Sequence, residues 1–314
     1  MTDTAELAPS PIFVEQKQSY TSRLARDRKK LGRWFVAPTV LLLMLIVIFP
    51  LLMQLYVSFT WWTPLEGTPW YQAHELFNSG DNYVRLAEDP RLWGAILRTL
   101  VIIIISVPIQ FTLGMGLAYL FLNKFPGQKI FYSILLTPMM IVPAVVGLMF
   151  FLLFQSTGPI NAHLGLARDF SWLTDTNRSI IAVIAADTWQ WTPLMFLILL
   201  AGMLSVPPDQ LLAAKLLGAS DFQSARRIIL PKMKSVIIIA LVLRTVESFK
   251  IFDLVYIMTN GGPGVQTETI SLFLYKLTFG EFEWSYVAAI GLVILLVLSL
   301  IAILGLSFMA RKKG

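Results

Sequence analysis

Six apolar blocks, each long enough to cross a hydrocarbon core, decide what this chain can fold into. A crossing takes roughly 20 residues of helix, and backbone amides in hydrocarbon must be paired within their own segment. The blocks are therefore expected as helices at about 34–59, 93–122, 130–155, 180–204, 235–258 and 285–309. The fold class expected is an all-α polytopic membrane protein with six transmembrane helices. Composition agrees, because only 14% of the residues are charged, against about a quarter in soluble domains.

The segments between the blocks sort by charge. Residues 1–33 hold seven Lys/Arg against four Asp/Glu, and 60–92 hold two against five. The turn at Lys124 and Lys129 is basic, and 156–179 balances two against two. Residues 205–234 hold five against two, 259–284 one against three, and the tail reads "RKKG". Basic excess marks the cytoplasmic side of a membrane. The alternation puts both termini in the cytoplasm: a basic N-terminal segment at 1–33, a transmembrane domain at 34–309 with a cytoplasmic loop at 205–234, and a tail at 310–314. The net charge of +6 is thus a matter of topology, and no nucleic-acid partner is expected.

The chain has no cysteine, which excludes disulfides, thiolate metal sites and cysteine nucleophiles. His74 and His163 stand in no metal-ligand spacing, so no metal site is expected. No short apolar core with a small-residue cleavage site precedes the first block, so no cleaved signal peptide is expected. No phosphate-binding G-x-x-x-x-G-K-[ST] occurs, so ATP chemistry is not expected of this chain.

Charged side chains at membrane depth mark pathways or partnered sites. The fifth block carries Arg244, Glu247, Lys250 and Asp253 at intervals of three, a slanting staircase of alternating sign. Ser248, Phe249 and Phe252 lie among the rungs, and polar groups beside aromatic faces suit a sugar. A self-neutralising ladder and a polar track for a hydrophilic solute are both compatible with the pattern. Arg98 and Asp187 are expected to reach the interface or to pair. Pro138 and Pro143 in "TPMMIVP", and Gly114 and Gly116 in "QFTLGMG", are expected to kink their helices or to permit close packing.

The loop "LLAAKLLGASDFQSARRIILPKMK" reads as two short amphipathic helices. Leu212, Leu216 and Ala219 share one face, and Phe222, Ala225, Ile228 and Ile229 share another. Pro207 and Pro208 start the first helix, Gly218 permits a turn, Asp221 caps the second, and Pro231 breaks the pattern before the next block. Such a hairpin can lie on anionic lipid or grip a cytosolic protein.

This loop resembles the EAA loop of ABC-importer permeases, with Ala213, Ala214, Gly218, Ala219, Leu230 and Pro231 at motif positions. "LLTPMMIVPAVVGLMFFLLF", "DTWQWTPLMFLILLAGMLSVP" and "FDLVYIMTNGGPGVQTETISLFLYKLTF" resemble the carbohydrate-importer, MalF-like branch, and the resemblance runs over nearly the whole chain. It implies one permease subunit of a binding-protein-dependent importer in the bacterial cytoplasmic (inner) membrane. The implied partners are a second homologous permease, two cytoplasmic ATPase subunits, a periplasmic or extracellular solute-binding protein, and membrane lipid. ATP and Mg would sit on the ATPases, with no cofactor on this chain. Leu212, Ala213, Ala214, Leu217, Gly218, Ala219, Leu230 and Pro231 would couple to an ATPase. Arg244, Glu247, Ser248, Phe249, Lys250, Phe252 and Asp253 would line the substrate pathway.

The motif's glutamate is Leu212 here, and Leu217 replaces the acid before the glycine. Either Asp209 restores a charge contact or the second permease carries the intact glutamate. An ion-coupled secondary carrier using the charged fifth helix is the alternative, although it leaves the cytoplasmic hairpin idle. A membrane enzyme acting on lipid-linked sugars would need a clustered acid–base or metal site, and Glu66, Glu75, Asp81, Glu88 and Asp89 show no such spacing.

Overall fold

A computed structural model describes residues 11–167 and 169–310, and its regular elements are helices. The first ten residues of the basic segment and the tail 311–314 lie outside the described residues. Helix α1 (Pro11–Ser58) leads to α2 (Asp81–Glu88), α3 (Pro90–Phe121), α4 (Gln128–Met140), α5 (Pro143–Leu153) and α6 (Pro159–Leu164). Then come α7 (Thr176–Leu204), α8 (Pro208–Leu216), α9 (Asp221–Ser224), a π-helical turn (Ala225–Ile229) and α10 (Leu230–Lys232). The chain ends with α11 (Lys234–Phe249), α12 (Asp253–Thr259), α13 (Ile270–Phe279) and α14 (Trp284–Ala310).

The chain divides into two compact units at Val57/Ser58. In the first, the segment from Trp34 is apolar and exposed, with Leu41, Leu45 and Phe49 all open, as a lipid-facing surface requires.

In the second unit α3 and α7 form the central pair. Their crossing is close at Gly114, where a Cβ would lie 2.9 Å from the Phe196 backbone nitrogen. Lipid supplies no hydrophobic drive between helices, so such approach and the packing it allows hold the pair together. Phe121 meets Phe196 edge-on at 5.0 Å, and Ile103, Val107, Met195 and Leu199 fill the surrounding core.

Four helices are long and apolar enough to cross a membrane among the described residues: Trp34–Ser58, Pro90–Phe121, Thr176–Leu204 and Trp284–Gly305. A fifth follows if α4 and α5, bent by 97°, count as one. The expected continuous helix at 130–155 is therefore two. Pro143 starts α5 and holds Val142 in an extended conformation, because the residue before proline is pushed out of the helical region. Gln190 Nε2 donates to the freed Ile141 carbonyl at 3.1 Å.

The expected helix at 235–258 is also interrupted. It breaks over residues 250–252 and resumes as α12. Two hydroxyls at the start of α13 take the freed carbonyls: Thr269 Oγ1 donates to Ile251 O at 3.0 Å, and Ser271 Oγ donates to Phe249 O at 3.1 Å. Broken backbone is stable at membrane depth only with such replacements. Helix α12 packs on α5 at Gly147, where a Cβ would come within 3.0 Å of Ile257.

The acidic segment 60–92 is ordered. Asn82 Nδ2 donates to the carbonyls of Ser58 and Thr60, and Tyr286 Oη donates to Asp89 Oδ2 at 2.7 Å. Arg85 pairs with Glu283.

Candidate functional site

The loop at 205–234 folds into the expected hairpin. Pro208 takes the first helical position of α8. Gly218 has φ +80°, the Gly218 amide donates to Lys215 O at 3.0 Å, and the Ala219 amide donates to Ala214 O at 2.9 Å. This is a Schellman ending, which needs a left-handed residue at that point. A Cβ on Gly218 would meet no atom within 4 Å, so conformation rather than space calls for glycine.

The second helix is capped by Ser220 rather than by Asp221. Ser220 Oγ accepts from the Gln223 amide, and Gln223 Oε1 accepts from the Ser220 amide, a capping box. A hydroxyl one residue before the acid leaves Asp221 in the first turn, where it pairs with Lys215 at 3.3 Å. Pro231 falls in α10, two residues after a π-helical turn, and the helix breaks at Met233 before α11. Leu216 and Leu217 are each 89% exposed, and Leu212 and Phe222 are exposed beside them, so the hairpin tip is apolar and uncovered. Ala213 and Leu230 are also exposed, while Ala214 and Ala219 are half-buried.

A second site forms at the two breaks, between α4 and α5 and between α11 and α12. A cavity of about 310 Å³ is lined by Arg244, Glu247, Ser248, Lys250, Phe252 and Asp253 of the broken segment, together with Pro143, Asp187, Gln190 and Trp191. Phe249 is not part of this lining and packs against the apolar clusters of α3, α7 and α13.

The charged staircase is wired differently from its sequence spacing. Arg244 Nη2 donates to Asp187 Oδ1 at 2.6 Å, and Arg244 Nε donates to Gln110 Oε1 at 2.8 Å. Gln110 Nε2 donates to Asp187 Oδ2 at 2.8 Å, closing a buried ring across α3, α7 and α11. Trp191 stacks under the guanidinium at 5.1 Å. Glu247 pairs with Lys250 at 2.8 Å, both exposed. Asp253 begins α12 without a hydrogen-bond or ion-pair partner among the described residues. Ser248 and Gln190 line this cavity, and Ser248 Oγ and Gln190 Oε1 are buried without a hydrogen-bond partner among the described residues.

A third cluster centres on Glu268, which is fully buried. Arg91 donates to both carboxylate oxygens at 3.1 Å, and Lys276 Nζ lies 3.0 Å from Oε1. Arg98 Nε donates to the Glu268 carbonyl at 3.0 Å, so Arg98 reaches a backbone partner. Burial pushes the Glu268 carboxyl up, but the bonds from Arg91 and Lys276 outweigh it and hold the group below its ordinary 4.5. The cluster ties the start of α3 to the segment that supports the α11–α12 break.

Sequence reasoning missed Gln110, Gln190 and Glu268. The first two are amides at membrane depth, and that was the available signal. Glu268 sits in a loop whose acidic excess hid its burial.

Broken apolar helices around a charged cavity, with an exposed apolar hairpin between α7 and α11, fit a membrane-spanning solute permease. The chain belongs to the family of binding-protein-dependent transport system inner membrane components, whose pattern matches residues 84–312. It is similar to a probable ABC transporter permease protein of Sinorhizobium fredii, 34% identical over 261 residues, covering 82% of this chain and 83% of that one. It is 30% identical to the trehalose/maltose transport system permease protein MalF of Thermococcus litoralis, over 82% of this chain and 86% of that one. It is 30% identical to the lactose transport system permease protein LacF of Rhizobium radiobacter, over 90% and 94%. A solved bacterial ABC transporter involved in importing the acidic polysaccharide alginate shares the fold, with a TM-score of 0.76 and 20% identity over 93% of this chain and 100% of that one. The protein is a transport subunit, not an enzyme.

Proposed function

We propose that this chain is one of two permease subunits of an ATP-driven importer for a sugar, polyol or related glycoside. The observation that carries this reading is the cavity at the two helix breaks, where Glu247, Ser248, Lys250 and Asp253 stand beside Trp191 and Phe252. Solute hydroxyls both donate and accept, so they can pair with such groups while the apolar face of a sugar lies against a ring. The names of its relatives, for trehalose, maltose and lactose, point to the same solute class.

The topology that fits this role has six spans, α11 and α12 together forming the fifth, with both termini cytoplasmic in the inner membrane. Leu212, Ala213, Ala214, Leu217, Gly218, Ala219, Leu230 and Pro231 then form the coupling surface for an ATPase. A second permease, two ATPases that carry ATP and Mg, and a solute-binding protein complete the assembly. An alginate-importer structure in complex with its pentasaccharide-bound periplasmic protein supports the last of these. The pairing of Arg244 with Asp187 and of Glu247 with Lys250 leaves little of the staircase free for an ion relay.

The test is uptake of a radiolabelled panel of sugars, polyols and glycosides, trehalose, maltose and lactose among them, by the reconstituted assembly with ATP inside the vesicles. Import of at least one supports the reading, and import of none overturns it.

A further inference from the structure

Beside the cavity the chain carries a run of aromatic rings in contact with one another, which begins at Phe252 on the edge of the core. Phe252 lines the cavity. Its ring stacks on Tyr256 at 5.4 Å with planes 15° apart, and approaches Tyr275 at 5.0 Å. Tyr256 and Tyr275 meet edge-on at 5.5 Å, and Tyr275 continues to Phe279 at 5.1 Å. Phe252 closes the break and the other three rings belong to α12 and α13, next to the hydroxyls of Thr269 and Ser271 that brace it.

The rings stay open. Tyr256, Tyr275 and Phe279 are 38%, 36% and 60% exposed. Four rings in mutual contact, each with accessible area, make a continuous amphipathic surface from the cavity to the last turn of α13. A pyranose has an apolar C–H face and a hydroxyl rim, so it can lie on a ring and move to the next without finding new hydrogen-bond geometry at each step. Tyrosine suits this because it joins a large apolar body to a polar tip.

We propose that Phe279, Tyr275, Tyr256 and Phe252 form a stacking track along which a carbohydrate enters the cavity at the α11–α12 break. The proposal rests on the carbohydrate reading above and goes beyond it by naming a path outside the cavity. The occupant is a sugar ring in transit, because the track runs into a cavity lined by the polar side chains of Glu247, Ser248, Lys250 and Asp253, whereas a lipid-facing belt would have no reason to end there.

The experiment uses the reconstituted assembly and whichever solute of that panel the wild type imports. It measures solute moved per ATP hydrolysed for Tyr275→Leu and Tyr275→Phe, with melting temperature as a control. Losing one ring stack should lower solute per ATP about three- to tenfold in Tyr275→Leu. Tyr275→Phe, which keeps the ring, should restore it. Unchanged transport in Tyr275→Leu would overturn the track while leaving the carbohydrate reading intact. A parallel fall in uptake, ATP turnover and melting temperature would make the rings structural and also overturn it. Failure of the wild type to import any sugar, polyol or glycoside of the panel would overturn the reading beneath, and the track with it.

Discussion

Arg244 Nη2 lies 2.6 Å from Asp187 Oδ1, and the two side chains are only 3% and 2% exposed. Gln110 bridges them, so one ionic ring joins three helices. Removing one partner leaves the other charge buried without compensation. Asp187→Ala should therefore destabilise the protein by about 3–5 kcal/mol, as breaking a buried pair does elsewhere. The double variant Asp187→Leu/Arg244→Met should recover much of that loss. Melting of the purified variants in detergent checks both.

Glu247 and Lys250 also touch, at 2.8 Å, but with side chains 43% and 62% exposed. Exposed pairs add little stability. Lys250→Gln should melt close to wild type while lowering uptake, since Lys250 lines the cavity. The double reversal Glu247→Lys/Lys250→Glu keeps the pair, so stability should again hold. If the pair serves only structure, uptake returns in the double variant, and solute contact is then ruled out.

Glu268 gives a pH dependence. Its carboxyl is held below its ordinary 4.5 in the folded protein, so the unfolded chain takes up a proton first as pH falls. Its contribution is fully present above that ordinary value and is lost only as pH falls through the lower folded value. The melting temperature of wild type minus Glu268→Gln should be constant through neutral pH and shrink only in strong acid. A difference that vanishes near neutrality would contradict the arrangement of Arg91 and Lys276 around the carboxylate.

Gly218 occupies a left-handed conformation in open space. Gly218→Ala should strain the turn by about 1–2 kcal/mol, and Gly218→Asn should be tolerated better because asparagine visits that region. ATP turnover of the assembled transporter, compared across the two variants, reads this directly. Equal activity in all three proteins would remove the turn from the coupling pathway.

Much of this was legible in the sequence, for physical reasons that also explain the rest. Apolar length marked the four helices long enough to cross a membrane and the bent pair α4–α5, and the prolines at 207, 208 and 143 marked real boundaries. Six of the seven residues placed on the substrate pathway meet in one cavity, Arg244, Glu247 and Ser248 from the end of α11 and Lys250, Phe252 and Asp253 from the break that follows it. Partners were harder to read. Arg244 and Glu247 sit one turn apart and look paired, yet Asp187 and Gln110 reach Arg244 from other helices, and nothing local encodes that. The break over residues 250–252 was invisible for the same reason. No proline or glycine marks it, and the hydroxyls that sustain it come from Thr269 and Ser271, 18 and 22 residues from the carbonyls they take. Ser220 was overlooked as a cap because its acidic neighbour drew the assignment.

The most direct test of the account is uptake into proteoliposomes, comparing the chain alone with the chain joined by its second permease, ATPases and binding protein. The account predicts accumulation of a sugar, polyol or glycoside of the panel only in the full assembly with ATP, and its loss when Ala214→Glu or Gly218→Trp disrupts the apolar hairpin tip. Accumulation by the chain alone, driven by an ion gradient and abolished by an uncoupler, would contradict it.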